Sequence, residues 1–474
     1  MRRFLIVAMA AVAAAALAAC SHSSLQQSLI PSAPNAQVPS AVSEFTPMNQ
    51  EELRVMEVPR YRACPAAARG HFECYAILSA ASLDATLPRS SSCQHEPGCY
   101  EASDLQAAYG VTSAAQTGGK GVTVAVVDAF GYKGGYKGAA RDLGLYRKLS
   151  GLPACGKGCF KIVNQSGGAK LPPAASGSNA GWMAEQMLDI DMVSAMCPNC
   201  NILLVQVNST QDMDLVAGVT AALKTATIVS NSWGGAEFLP TYPTFDSHPG
   251  KVITASAGDD GAGAPVSQGG NSPESQPCGF AGVVCVGGTS LMVSNGVYQG
   301  EKVWQDFRVT NSSGTQNYGA TGSGCSAMVA KPSWQKDKGC KKRSAVDISA
   351  NGDPGTGVVI ACTPCAALYH FPNAYIIGIG GTSESSPIIA GMYALAGNAG
   401  SLSSAPQRIW TSSKSSFHDI TSGFNDSGKL NPPLQSGDTR TGLICKKAIA
   451  YICKAGPGYD GPSGWGSPKG LGAL

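Results

Sequence analysis

Charged residues are scarce in this chain of 474 residues: they make up 14% of it, and the two signs nearly cancel. The 34 Lys and Arg residues against 31 Asp and Glu residues leave a formal net charge of +3, and the longest basic run is Lys341-Lys342-Arg343. Proteins that bind nucleic acid usually concentrate basic residues on one surface, so nucleic acid is not an expected partner. An internal repeat is also lacking, and a hydrophobic content of 43% predicts a globular protein with one large core or two ordinary ones.

The apolar run near the N-terminus, Phe4–Ala19, is too short to span a membrane as a helix. Two arginines precede it and it ends in Leu17-Ala18-Ala19-Cys20, so residues 1–20 are predicted to be a signal peptide. The ending resembles the lipobox of bacterial lipoproteins, where cleavage before the cysteine is coupled to lipidation of its thiol. We therefore expect an exported protein in the cell envelope, in contact with the membrane only through a lipid on Cys20. The alternative is an ordinary signal peptide and an extracellular protein.

Cysteine usage agrees with export. Of the 17 cysteines, the 16 other than Cys20 fall into neighbouring pairs along the chain. We expect eight local disulfides: Cys64–Cys74, Cys93–Cys99, Cys155–Cys159, Cys197–Cys200, Cys278–Cys285, Cys325–Cys340, Cys362–Cys365 and Cys445–Cys453. The two Cys-x-x-Cys pairs could instead form a four-thiolate zinc site, but an oxidising compartment favours the disulfides.

The sequence predicts two further regions after the signal peptide. Residues 21–100 begin with a tether rich in Ser, Pro and Ala and continue as a short disulfide-clamped segment. A strand is possible over Phe72–Leu78, but no chemistry follows from it. The main domain is expected to cover residues 101–474 and to open near Asp104.

Short apolar runs rich in β-branched residues recur in this domain, with helical stretches between several of them. The runs are Val122–Val127, Ile202–Val207, Ile228–Ser230, Val252–Ser256 and Val283–Val286. They predict an α/β fold, doubly wound, with a mostly parallel sheet and helices on both faces. Sites in such sheets collect at the carboxyl ends of strands. Asp128, the segment Ser232-Trp233-Gly234-Gly235 and the segment Ser256-Ala257-Gly258-Asp259 lie at such ends.

Two stretches outside these runs carry turn or loop signals. Asn295-Gly296 lies between apolar residues in the segment 290–304, which predicts a β-hairpin. Residues 310–326 are dominated by Gly, Ser, Thr and Asn, so we expect a mobile loop there.

The stretch Gly380–Gly391 reads Gly-Gly-Thr-Ser-Glu-Ser-Ser-Pro-Ile-Ile-Ala-Gly. Its two leading glycines allow a tight turn and close approach, and the apolar run after Pro387 predicts the start of a buried helix. A serine at a helix N-terminus lies near backbone N–H groups and the positive end of the helix dipole. Such turns are also common helix caps, so a nucleophilic serine further requires a base and an oxyanion donor elsewhere in the chain.

A helix predicted over residues 181–196 supplies candidates for the base. Residues four apart on a helix are neighbours, at roughly 5 to 6 Å between Cβ atoms, so Glu185 and Asp189 share a face. Asp191 lies about 200° around the helix from Asp189 and belongs to another face. A solvated acidic face is the alternative, but the helix is otherwise almost wholly apolar, which favours a buried functional pair.

Asp259 is the third candidate, in the strand end and glycine turn Ser256-Ala257-Gly258-Asp259-Asp260-Gly261. A protonated carboxyl at this position could donate a hydrogen bond to an oxyanion. Asp and Gly also populate turns for ordinary reasons, so this signal is weak by itself.

The three parts, in this order, resemble the sedolisins, the serine-carboxyl peptidases that share the subtilisin fold. The resemblance runs from about Asp104 to the C-terminus. It implies Ser383 as the nucleophile, Glu185 as the general base, Asp189 as the group that orients Glu185, and Asp259 as the oxyanion-hole acid. By the same resemblance, Trp233 lines the substrate cleft.

The C-terminal region resembles the calcium site of that family. The matching segments are Phe417-His418-Asp419-Ile420-Thr421 and Ala455-Gly456-Pro457-Gly458-Tyr459-Asp460. The resemblance implies one Ca²⁺ ion, held by the carboxylates of Asp419 and Asp460 and the carbonyls of Ile420, Gly456 and Gly458. Calcium prefers such mixed oxygen ligands, although an ordinary Gly/Pro turn remains the alternative.

Subtilisin itself is the nearest rival, because Val124-Ala125-Val126-Val127-Asp128 is similar to the strand that carries its catalytic aspartate. That enzyme needs a histidine shortly afterwards, and this chain has none between His95 and His248. A Ser-His-Asp mechanism is therefore not expected, and Asp128 is predicted to support the carboxyl network.

The resulting hypothesis is an exported, monomeric, lipid-anchored endopeptidase that acts on polypeptides in acid. Glu185 must be ionised while Asp259 is protonated, and unperturbed carboxyls titrate near ~4. One departure from the family is that the stretch before Asp104 is too short for a prodomain of the usual size. The alternatives are an inactive surface-binding protein on the same fold and an acyl hydrolase acting on non-peptide substrates.

Overall fold

The computed structural model describes residues 60–68, 70–79, 98–239, 241–262, 275–310, 316–369, 374–425 and 447–474. All of them belong to one unit, Asn49–Leu474. The predicted signal peptide, Cys20 and most of the tether lie outside these residues. Among the residues described, no helix combines the length and the apolar character that a membrane crossing requires.

Eight α-helices are described in this part of the chain. They are α1 Ala102–Ala108, α2 Thr112–Thr117, α3 Gly135–Leu149, α4 Trp182–Met196, α5 Asp212–Thr225, α6 Thr363–Leu368, α7 Thr382–Ala396 and α8 Ala405–Thr411.

The strands described are numbered in chain order. They are β1 Arg60–Arg62, β2 Glu73–Cys74, β3 Ile77–Ser79, β4 Thr123–Ala129, β5 Phe160–Asn164, β6 Asn201–Val207, β7 Ile228–Asn231, β8 Trp233–Ala236, β9 Val252–Ser256, β10 Asp260–Ala262, β11 Ser275–Gln276, β12 Val284–Ser294, β13 Val297–Val303, β14 Gln305–Thr310, β15 Gln316–Cys325, β16 Ser344–Ala345, β17 Ile348–Asn351, β18 Val358–Ala361, β19 Tyr375–Gly380, β20 Phe417–His418 and β21 Ser467–Pro468.

The central sheet has the order β13-β12-β9-β7-β4-β6-β5, and β17 also pairs with β12. All of its pairs are parallel except the β12–β13 hairpin. Its inner strands are buried on both faces, as the near-continuous apolar runs predicted. Helix α5 packs on β4 and β6, while α4 and α7 pack together on the opposite face. The predicted α/β fold, with a mostly parallel sheet and helices on both sides, is confirmed.

Two smaller sheets bring the N-terminal segment into the domain. The mixed sheet has the order β10-β15-β14-β1-β3-β19-β18, and a three-stranded sheet has the order β11-β8-β2. The possible strand over Phe72–Leu78 is thus divided between two sheets, and Tyr75 and Ala76 lie between the two pieces.

The expected mobile loop over residues 310–326 is wrong where the structure describes it, because β15 pairs with both β14 and β10. The small residues of β15 allow its backbone to pack closely against the neighbouring segment of the chain. A Cβ atom on Gly322 would lie 2.0 Å from the Ala257 carbonyl oxygen, and the Gly322 N–H donates to the Gly258 carbonyl at 2.7 Å. The Asn295-Gly296 hairpin is confirmed, with positive φ at both residues.

Six of the expected disulfides are confirmed. Both Cys-x-x-Cys pairs are among them, which removes the thiolates of the alternative zinc site. Cys99 and Cys453 are also disulfide-bonded, but their expected partners Cys93 and Cys445 lie outside the described residues.

Candidate active site

Ser383 lies in the first turn of α7, which begins at Thr382, before the predicted start after Pro387. Gly381 precedes the helix with φ of 97°, and a Cβ atom on it would lie 1.7 Å from the Tyr75 carbonyl oxygen. Glycine is therefore required both by the backbone conformation and by the close approach. Ser383 is fully buried, and its hydroxyl is 3.1 Å from the Ser232 carbonyl oxygen.

Helix α4 packs against α7 and presents Glu185 and Asp189 toward Ser383. The Ser383 hydroxyl lies close enough to the Glu185 carboxyl to oppose the rise in pKa that burial causes, and Glu185 Oε2 accepts from the Ala76 N–H at 3.0 Å. Asp189 Oδ1 accepts from the Ser232 hydroxyl at 2.5 Å. The structure therefore brings the predicted nucleophile, base and orienting carboxyl together.

Asp191 lies on another face of α4, as the helix geometry predicted. Its Oδ2 accepts from the Ala361 N–H at 2.9 Å, and nothing connects it to Ser383. Burial raises its pKa too, so a raised pKa alone does not identify the site.

Asp128, at the end of β4, joins the Glu185–Asp189 pair. Burial raises the pKa of Glu185 and of Asp189, and the charge of Asp128 raises both further. Burial also raises the pKa of Asp128 itself, to about 8, and neither of its oxygens has a hydrogen-bond partner in the structure. Three buried carboxyls this close cannot all be ionised, so the group holds protons in common.

Asp259 approaches Ser383 from the end of β9. Its Oδ1 accepts from both the N–H and the hydroxyl of Thr382, at 2.8 Å each. Its Oδ2 has no partner and lies 2.7 Å from the position of a Cβ atom on Gly381. Burial raises its pKa from 3.8 to about 7, while the Arg62 charge opposes the rise. Asp259 is therefore protonated over most of the acid range, with one oxygen free to donate.

Trp233 is fully buried in β8, where its indole N–H donates to the Val127 carbonyl at 2.7 Å. Its ring stacks on Phe72 at 5.1 Å between centroids. Its expected role in lining the substrate cleft stays a prediction.

The residues that the N-terminal segment brings to this site were not predicted from the sequence. Arg62 pairs with Asp260 at 2.7 Å, and burial raises the pKa of Glu73 to about 8. Tyr75 lies over Gly381, between β2 and β3. The Cys64–Cys74 pair was the available signal, because it indicated a closed loop, but it did not indicate where the loop would pack.

The residues predicted for calcium lie together in the C-terminal region. Asp419 accepts from the Gly458 N–H at 3.0 Å, and Asp460 accepts from the Gly456 N–H at 3.0 Å. Burial raises the pKa of Asp460 to about 7, and the Asp419 charge adds to the rise. Among the described residues no cluster of three or more His, Cys, Asp or Glu side chains suits a metal. The expected set of two carboxylates with the carbonyls of Ile420, Gly456 and Gly458 has the oxygen chemistry that calcium prefers, and the site stays a prediction.

Comparison with known families and proteins agrees with this geometry. The subtilase family model (Peptidase_S8) matches residues 174–412. Kumamolisin from Bacillus sp. (strain MN-32) is 28% identical over 326 residues, which cover 63% of this chain and 51% of kumamolisin. Sedolisin from Pseudomonas sp. (strain 101) is 31% identical over 232 residues, which cover 46% of this chain and 33% of sedolisin. The match thus spans about half or less of these relatives.

Among solved structures, the chain is similar to Pseudomonas sedolisin, a serine-carboxyl proteinase complexed with two molecules of pseudo-iodotyrostatin. The TM-score is 0.62 at 24% identity, over 79% of this chain and 96% of that chain. At this level of identity, the structural likeness is evidence for the fold only.

Proposed function

Because the chain belongs to the subtilase family, we propose that it is a serine-type endopeptidase of the sedolisin type, hydrolysing peptide bonds through an acyl-enzyme on Ser383. The observation that carries the proposal is that the packing of α4 against α7 buries the Ser383 hydroxyl beside the Glu185 carboxyl. No histidine is needed at the nucleophile, since a carboxylate takes the serine proton.

Proton transfer in this proposal depends on the carboxyl group beside Ser383. Glu185 Oε1 and Asp189 Oδ2 are both buried without partners, so a proton held between them would satisfy both oxygens. Asp189 is in turn held by Ser232, and the charge of Asp128 keeps protons within the group. Glu185 Oε2, which also accepts from the Ala76 N–H, then takes the proton of Ser383 and returns it to the leaving nitrogen.

The oxyanion that forms during acyl transfer needs a donor aimed at it. Asp259 supplies one in the proposal, because Thr382 holds Oδ1 while Oδ2 remains available to carry a proton. A pKa of about 7 keeps that proton in place below neutrality.

One Ca²⁺ ion, held by Asp419, Asp460 and the carbonyls of Ile420, Gly456 and Gly458, is part of the proposal. The ion would neutralise the two carboxylates and link the Asp419 segment to the loop before Asp460. This role is structural, because Asp419 and Asp460 contact none of the proposed catalytic residues.

The proposal also keeps the sequence prediction of an exported, lipid-anchored monomer acting on polypeptides. Mass spectrometry of the mature N-terminus checks this part. A lipidated Cys20 at the N-terminus of the full chain supports the anchor, and a Ser383→Ala chain with an unmodified N-terminus at another position excludes it.

Peptidase activity is tested by incubating the purified protein with denatured protein and a peptide library at several pH values. We expect new internal peptide ends in acid, and none with Ser383→Ala. Turnover of esters without peptide cleavage would favour the acyl-hydrolase alternative, and no Ser383-dependent turnover would favour the inactive binding protein.

A further inference from the structure

Residues 73–79 run past the candidate active site in extended form, from strand β2 into strand β3. Strand β2 pairs antiparallel with β8, with Glu73 opposite Gly234 and Cys74 opposite Trp233. The Tyr75 N–H then donates to the Ser232 carbonyl at 3.2 Å. Adding a strand to an exposed edge is a common way to bind an extended peptide, so this segment lies where a polypeptide substrate would lie.

The two ends of the peptide bond between Tyr75 and Ala76 face different groups of the candidate active site. Its nitrogen is 3.0 Å from Glu185 Oε2, the proposed donor to a leaving amine. Its carbonyl oxygen lies against Gly381: a Cβ atom there would be 1.7 Å from that oxygen and 2.7 Å from Asp259 Oδ2. The nitrogen therefore faces the base and the carbonyl oxygen faces the oxyanion acid.

The Tyr75 side chain fills a pocket that suits a phenol. It is fully buried, and its hydroxyl lies 2.8 Å from Ser275 Oγ. A Cβ atom on Gly234 would lie 2.8 Å from the phenol oxygen, and one on Gly258 would lie 3.6 Å from the ring. Two glycines thus make room for the ring, and Ser275 provides a partner for its hydroxyl.

Contacts on both sides hold this bond in place. The Cys64–Cys74 disulfide closes the loop directly before Tyr75, and Arg62 pairs with the partly buried Asp260. After the bond, Ile77 pairs with Gly380 of β19, the strand that leads into α7 and Ser383. A bond held in one geometry at the reacting groups needs little further ordering before reaction.

From these contacts we infer that the enzyme hydrolyses its own Tyr75–Ala76 bond, and that the pocket formed by Gly234, Gly258 and Ser275 selects tyrosine before the cleaved bond. The inference rests on the proposed peptidase function.

In the reaction, Ser383 Oγ loses its proton to Glu185 and attacks the Tyr75 carbonyl carbon. The carbon–nitrogen bond breaks, and Ala76 leaves as a free amine with the proton from Glu185. Water then hydrolyses the ester, which leaves a Tyr75 carboxyl group and restores the Ser383 hydroxyl. Cys64 and Cys74 both precede the cut, so no disulfide that the structure describes joins the two products.

Self-cleavage is tested on the purified full chain by intact-mass spectrometry during incubation in acid. We expect a product whose N-terminus is Ala76, formed at a rate independent of protein concentration, and no such product with Ser383→Ala. A rate proportional to protein concentration, a chain that stays intact, or cleavage only at other bonds would each overturn the inference.

Two variants test the pocket. Tyr75→Asp should slow the cut at least about tenfold, while Tyr61→Asp, a matched change at an exposed tyrosine of the same segment, should leave its rate unchanged. Equal slowing in both variants would contradict a pocket at Tyr75. Ser275→Ala should reduce the preference for tyrosine over phenylalanine in short peptides, and an unchanged preference would contradict its role.

Peptide assays separate this inference from the proposed function. Ser383-dependent peptide cleavage by a chain that remains uncut at Tyr75–Ala76 would reject the inference alone. A chain without Ser383-dependent turnover of any peptide, including its own, would reject the proposed function.

Discussion

Two faces of helix α4 carry buried carboxyls with different surroundings. Glu185 and Asp189 face Ser383, Ser232 and the charge of Asp128, whereas Asp191 faces the Ala361 N–H. Burial raises the pKa of all three. The comparison shows that burial does not distinguish a catalytic carboxyl from a structural one. The difference lies in the neighbours: Glu185 and Asp189 lie beside the Ser383 hydroxyl and share protons with Asp128, whereas Asp142, the carboxyl near Asp191, accepts from other hydroxyl groups.

The comparison is tested most directly by neutralising one carboxyl on each face of helix α4. Glu185→Gln should lower kcat/KM by about 10⁴-fold or more, as expected when a member of a proton-transfer unit is removed. Asp191→Asn should leave kcat/KM nearly unchanged, because Asp191 does not contact Ser383. Kinetics on a peptide substrate, with melting curves to establish folding, measure both. Equal loss of activity in the two folded variants would show that the base is assigned wrongly.

Asp259 extends the comparison to a carboxyl that must stay protonated. Its pKa is about 7, so it ionises as the pH rises through 7 and the oxyanion loses a donor. Catalytic efficiency should therefore fall above about pH 7, and below that it should rise with pH as Glu185 ionises. This upper limit lies well above the value near ~4 at which an unperturbed carboxyl titrates, because burial raises the pKa of Asp259.

Asp259→Asn separates the two limbs of this pH profile. The substitution should cost about 10²-fold to 10³-fold in kcat, the typical effect of losing an oxyanion donor. Because an amide does not titrate, the decline above pH 7 should disappear in the residual activity. A decline that persists in Asp259→Asn would assign it to another group.

The C-terminal pair Asp419 and Asp460 offers a further contrast, since these carboxylates accept from backbone N–H groups and from the Ser463 hydroxyl, away from Ser383. A ligand that binds only the folded state stabilises it, by about 2.7 kcal/mol at a concentration of 100 Kd. Chelator should therefore lower the melting temperature of the wild type, and Asp460→Ala should lower it without chelator and remove the chelator effect. Metal analysis without calcium, together with unmoved melting curves, would exclude the site.

Of these substitutions, the replacement of Glu301 should have the smallest effect on catalytic activity. It is buried like the catalytic carboxyls, but it accepts hydrogen bonds from Tyr109, Thr289, Tyr298 and Ser467. Burial raises its pKa to about 7, above its ordinary value of 4.5, so the folded state holds this proton more tightly than the unfolded state. This contribution to stability is complete below pH 4.5 and is lost as the pH rises through 7.

Glu301→Gln should therefore weaken the pH dependence of the melting temperature between pH 4.5 and 8 and change stability by about 1 to 3 kcal/mol. It should not change kcat/KM. Thermal melts at several pH values, with parallel kinetics, check this prediction. A loss of activity comparable to that of Glu185→Gln would contradict the distinction between the two kinds of carboxyl.

Local sequence determined much of the fold and part of the site. The β-branched runs, from Val122–Val127 to Val283–Val286, predicted the central sheet because strands covered on both faces must be apolar throughout. The helix period placed Glu185 and Asp189 on one face and Asp191 on another, since both relations depend only on spacing. The roles of Ser383 and Asp259 came from the family resemblance, because their own segments are also ordinary turns.

Only the tertiary structure decided what lies against those residues. The sequence of β15 contains the small residues of a loop, but long-range pairing with β10 and β14 makes it a strand. Tyr75 carries no local signal, because its significance depends on Gly234, Gly258 and Ser275, which are distant in sequence and converge only when the sheets assemble. Burial likewise depends on the whole fold, and it is burial that raises the pKa of Asp259 to about 7.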